Sequence, residues 1–178
     1  MSSYEMGFIC GFITVFICIA IIAALRRKKG KKTEYDERQL IARNAAYKYS
    51  FFTLMFYCIL CGMLDVLSIN WAITSVQMYL GIFISVTVCV VICIFKDAYF
   101  GIEKNKNSIY YFVFLSCLII FVNIFSFVSN LAYNNNTFIT DGMLNEYAVN
   151  PMCAAAFLIM MSSAIIKIIL NKKECSEE

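Results

Sequence analysis

Residues 7–25 contain no charged side chain, and at about 1.5 Å per helical residue they would reach across a hydrocarbon core of about 30 Å. Runs of similar length and character recur at 47–68, 75–95, 109–132 and 151–170. Inside lipid every backbone N–H and C=O must find its partner within the segment, so runs of this kind become helices. The chain is 61% hydrophobic and 15% charged, whereas soluble domains average roughly a quarter charged residues. The expected architecture is therefore all-α: a single polytopic membrane helical bundle of five transmembrane helices, with no separate soluble domain. A cleaved leader would carry its basic residues before the first apolar run. Here Glu5 precedes it and Arg26, Arg27, Lys28 and Lys29 follow, which predicts a retained span.

The placement of charge predicts which way round the bundle lies. Of the fifteen Lys and Arg residues, nine lie between Arg26 and Lys48, three at Lys96, Lys104 and Lys106, and three at Lys167, Lys172 and Lys173. With inner loops at 26–46 and 96–108 and an outer loop at 133–150, all of them fall on one side. The rule that basic loops stay inside then puts the N-terminus out and the C-terminus in. The net charge of +3 is explained by topology, so no nucleic-acid partner is expected. The lipid bilayer is the expected one: Arg26 to Lys32 hold six basic residues, each worth about 1 kcal/mol near an anionic leaflet.

The first inner segment also holds an ordered charged motif, Asp36-Glu37-Arg38-Gln39. Asp36 with Gln39 three residues on has the form of a capping box and predicts a helix start. Glu34 and Arg38, and Gln39 and Arg43, stand one turn apart. Ala42, Ala45 and Ala46 form a small-residue face, while Glu37, Asn44 and Lys48 form a polar stripe that Ile41 interrupts. That imperfect amphipathicity favours a stalk running straight into the next span. The candidate partner-docking residues are Asp36, Glu37, Arg38, Gln39 and Arg43, with Lys96 and Asp97 of the second inner loop, to which Arg38 could lock through Asp97. Tyr47, Tyr49, Phe51 and Phe52 open one outward-running span and Tyr110, Tyr111 and Phe112 another. A duplicated hairpin would leave this pattern, but interfacial aromatic belts produce it unaided, and the belt is preferred. Trp71 falls in a short outer turn, Pro151 at a helix start, and Asn135-Asn136-Thr137 is a formal glycosylation sequon. Gly7-x-x-x-Gly11 is a weak helix-contact signal.

Much chemistry is excluded or disfavoured. With no histidine, Ser-His and Cys-His catalysis cannot occur. The nine cysteines lie mostly inside apolar runs, where Cys58-x-x-Cys61 and the Cys89–Cys93 pair read as small apolar filler, so neither metal nor other cofactor is expected. Asp65, Lys96, Asp97 and Lys167 all lie within reach of a headgroup region, and no ionisable group is expected near the bilayer midplane. An enzyme, pump or secondary transporter is accordingly not expected. Asn123 is the strongly polar residue deepest in a span and the candidate for a polar contact inside the bundle.

Tyr35-Asp36-Glu37-Arg38-Gln39, then Ala42-Arg43, then Tyr47 to Phe52 opening a span, resembles a group of small bacterial multi-span membrane proteins with a juxtamembrane D-E-R-Q motif. Lys96-Asp97-Ala98-Tyr99-Phe100 is similar to them too, and the likeness covers about a third of the chain. It implies a multi-pass protein of the bacterial cytoplasmic membrane and implies no activity. Two functional expectations follow: an accessory protein docking a cytoplasmic or membrane protein partner through its inner loops, or a permease-like or immunity-type component acting on a solute or peptide. Oligomerisation stays open.

Overall fold

The computed structural model describes residues 35–99, 106–134 and 138–177. The expected span 7–25, the Gly7–Gly11 pair, the basic run 26–32, Glu34 and the sequon at 135–137 lie outside the described residues.

Four helices account for most of what is described: α1 (Glu37–Val66), α2 (Thr74–Phe95), α3 (Lys106–Asn134) and α4 (Val149–Glu177). All four contain stretches long and apolar enough to cross a membrane. The juxtamembrane motif and the apolar run after it form one unbroken helix, because nothing between Glu37 and Val66 removes a backbone donor.

The helices pack in the order α1–α2–α4–α3. Each sequential pair is an antiparallel hairpin, and the two returning helices, α2 and α4, run parallel through the middle. Parallelism follows from contacts at both ends: Val76 packs with Ala148 and Met152 at one end, and Asp97 pairs with Lys167 at the other. The flanking helices are correspondingly bare. The apolar window of α1 has 0% of its residues buried and that of α3 6%, against 33% for α2 and 28% for α4. Exposed Phe52, Phe56, Phe121 and Phe125 would be anomalous in water and are ordinary against acyl chains. Central α4 instead buries Ala154, Ala156, Ser163 and Ala164, small residues that let backbones approach.

The α1–α2 register is set by a serine pair. Ser50 donates to the Ser85 carbonyl at 2.9 Å, Ser85 donates back to the Ser50 carbonyl at 3.1 Å, and the two hydroxyls are 2.8 Å apart. Further out, Tyr57 donates to the Gln77 carbonyl at 2.7 Å while its ring lies over Gly81. The apolar runs alone would align residue 47 with residue 95. The observed register places residue 47 level with residue 88, a slip of seven residues or about 10 Å.

At the end bearing Trp71 the expected outer loop is structured. Ile139–Thr140 and Met143–Leu144 form an antiparallel hairpin around Asp141-Gly142, both with positive φ (52° and 77°). That is the backbone of a type I′ turn, for which Asp-Gly is a favoured dipeptide. Leu144 then donates to the Trp71 carbonyl at 2.9 Å and accepts from Ile73 N–H at 3.0 Å, stitching the loop to the α1–α2 turn. Beneath it lie buried Ala72, Val76 and Ala148, flanked by Trp71, Leu144 and Met152.

Candidate functional site

The residues singled out in the sequence gather where α1 begins and α2 ends. Asp36 is the N-cap of α1. Its carboxylate accepts from Glu37 N–H at 2.7 Å, and Gln39 Oε1 accepts from Asp36 N–H at 3.3 Å, which completes the capping box. Gln39 has a second task, since its Nε2 donates to the carbonyl of Asp97 at 2.8 Å across 58 residues of sequence. The amide does both because it carries an acceptor and a donor; a glutamate could supply only the first.

The other side of the site is the C-terminal turn of α2, whose last carbonyls have no acceptor role inside the helix. Ile92 accepts from Lys96 N–H at 3.0 Å, Cys93 from Ala98 N–H at 2.8 Å and Ile94 from Asp97 N–H at 3.2 Å. Phe95 faces Lys167 Nζ at 3.5 Å. This pattern needs a left-handed residue at Asp97 (φ 54°), a conformation that aspartate tolerates better than most residues. Ala98, which follows it, is wholly buried. The Asp97 carboxylate pairs with Lys167 of α4 at 2.9 Å, and the cation there also suits the negative end of the α2 dipole. One residue, Asp97, thus ties three helices together: α1 by its carbonyl, α2 by its backbone and α4 by its side chain.

Arg43 lies one turn further along α1. Its guanidinium stacks on the Tyr35 ring (4.1 Å to the centroid) and donates to Tyr47 Oη at 3.1 Å. Tyr99 meets Phe112 of α3 edge to face at 5.2 Å between centroids, which brings the fourth helix to the same end. Burial holds the Tyr99 phenol above its usual range, with the neighbouring Cys93, Cys89 and Tyr35 adding to the effect.

Glu37, Arg38 and Lys96 are exposed, and their side chains have no ion-pair or hydrogen-bond partner among the described residues. Among the described residues Asp97 is held by Gln39 and Lys167, and Arg38, which could have locked onto it, makes no ion pair with it. Asn123 is half-buried and donates to Ile119 of its own helix at 2.9 Å, so one of its two amide N–H groups is taken up within α3. A polar contact joins α3 to α4, from Asn150 Nδ2 to Ser126 Oγ at 3.1 Å. Four residues carry no signal of these roles in the sequence: Tyr35 stands there only within a motif, Lys167 only as a basic residue near the headgroups, and Ser50 and Ser85 as small polar residues in apolar runs.

Among the described residues no group of Cys, Asp or Glu is placed to hold a metal ion. The fold and this site define a mostly helical protein whose four described helices are each long and apolar enough to cross a membrane, three of them tied at one end through Asp97. Comparison of the chain with protein-family models, curated proteins and solved structures returns no match, so the functional reading rests on this geometry.

Proposed function

We propose that the chain is a five-span protein of the bacterial cytoplasmic membrane, N-terminus out and C-terminus in, that docks a protein partner on its inner face. The observation that carries this reading is the division of labour within the motif. Asp36 and Gln39 are engaged in the helix cap and the Asp97 tie, while Glu37 and Arg38, in the same turn, and Lys96, next to Asp97, point outward without partners among the described residues. Exposed charges held on a rigid base are what a polar docking rim requires. The basic residues gathered on one side support the orientation. The alternative, a permease-like or immunity-type component, would lean on Asn123, which is half-buried on α3 with one of its two amide N–H groups bonded to Ile119.

Replacing Glu37, Arg38 and Lys96 together by alanine should abolish co-purification of the partner at matched membrane levels. Asp36→Ser, which preserves the cap, should leave it intact. Partner recovery unchanged in the triple variant would refute inner-face docking.

A further inference from the structure

We infer that the outward face of α1 is a docking surface for a transmembrane helix of another protein, one that presents a carboxylate to Lys48. The inference starts from depth. With 22 residues, α2 spans about 33 Å, barely more than the hydrocarbon core, so it cannot slide far and its middle must lie near the bilayer centre. That middle is Ile84–Ser85, and Ser85 is bonded to Ser50. Lys48, two residues inward of Ser50, is therefore level with Thr87, eight residues or about 12 Å short of the last residue of α2. A lysine stem can snorkel back over only part of that distance. The sequence alone suggests an interfacial position for Lys48, but the register puts it inside the membrane.

Lys48 is exposed and has no partner among the described residues. It points away from α2: Gln39, Ala46, Ser50 and Tyr57 face α2, and 100° per residue sets Lys48 on the opposite side with Asn44, Ile59, Gly62 and Val66. Two features of that face suit a helix rather than lipid. Asn44, one turn inward, adds a second polar group. About 21 Å further out along α1, Gly62 has nothing within 4 Å of where a Cβ would stand, and Ile59, Met63 and Val66 flank the notch it leaves. A small residue on an apolar face is how membrane helices approach closely, and an intramembrane cation calls for a counter-charge.

Charge narrows the occupant. A second copy packed symmetrically would set Lys48 against Lys48, a like-charge contact. Among the described residues no carboxylate is spare at this depth, since Asp65 is at the far end of α1 and Asp97 is held by Lys167; residues 7–25 carry no charge in sequence. A headgroup phosphate would have to descend about 12 Å below the end of α2. A partner helix with an Asp or Glu in its inner-leaflet half meets every condition. This surface is separate from the cytoplasmic one, so each can fail without the other.

The test places a photoreactive benzophenone analogue at Phe52, one turn from Lys48 on the same face, and irradiates membranes of the producing cells. An adduct is expected whose cross-linked peptide is an apolar helix of another protein carrying Asp or Glu. Lys48→Met and Gly62→Leu should each lower its yield about tenfold, and Lys48→Glu should be rescued by changing the partner's acid to Lys. Adducts to lipid alone, adducts to a second copy, no adduct, or a yield indifferent to Lys48→Met would each overturn the inference. The unaltered Ser50–Ser85 contact, reported by an engineered Ser50→Cys, Ser85→Cys cross-link in every variant, shows that the helix pair still forms.

Discussion

Two glycines on facing helices show how little of a residue's role lies in its type. A Cβ at Gly81 would stand 2.7 Å from Tyr57 Cδ1 and Cε1, and the ring is pinned because its hydroxyl is bonded to the Gln77 carbonyl. Gly81→Ala should therefore cost about 1–3 kcal/mol by overpacking, read as a lower unfolding midpoint in detergent. Gly62→Ala meets open space and should cost nothing measurable in the same assay. Asp97 shows the reverse, one side chain with two separable roles. Asp97→Ala loses the Lys167 pair, leaves a largely covered ammonium behind and forces a Cβ without polar compensation into left-handed backbone. Asp97→Gly loses the pair without that strain, and should be milder by about 1 kcal/mol. Lys167→Met should be milder still, because the Asp97 carboxylate it abandons is 38% exposed and can be rehydrated. If all three variants unfold alike, the knot does not carry the energy ascribed to it.

At the scale of elements, the start of α1 combines a local signal and a long-range one in the same side chain. Asp36→Ala removes only the cap and should cost about 1 kcal/mol, most of it recovered by Asp36→Ser. Gln39→Glu keeps the acceptor for Asp36 N–H and removes the donor to the Asp97 carbonyl. It should cost more than Asp36→Ser and loosen the α2–α3 connection. Amide exchange at Ala98, whose N–H is bonded to Cys93, reports that loosening directly. Equal exchange in wild type and Gln39→Glu would mean that the tie does not hold the turn.

For the whole molecule, two antiparallel hairpins meet through their second helices, so the tie at Asp97 and the stitched loop at Leu144 close the bundle at its two ends. Both ties use backbone groups, the Asp97 carbonyl at one end and the Leu144 N–H and C=O at the other. Orientation is tested separately. With the C-terminus in, Cys175 should resist a membrane-impermeant thiol reagent applied to intact cells, whereas Asn135→Cys should be labelled. Labelling of Cys175 would overturn the topology.

What the sequence determined by itself is what periodicity and local chemistry can carry. Long apolar runs must be helical in lipid, and Asp36 with Gln39 made a helix start readable because a capping box spans only four residues. Asp141-Gly142 carried an equally local hairpin signal that the polar, Asn-rich character of the loop concealed. Tertiary structure alone decided the seven-residue slip between α1 and α2, the partners of Asp97 and the level of Lys48 along α2. Register has no trace in hydropathy, because an apolar helix can slide past another at little cost until specific groups stop it. Ser50 against Ser85, and Tyr57 over Gly81, are those groups, and each contact joins residues too far apart in the chain for any local pattern to announce it.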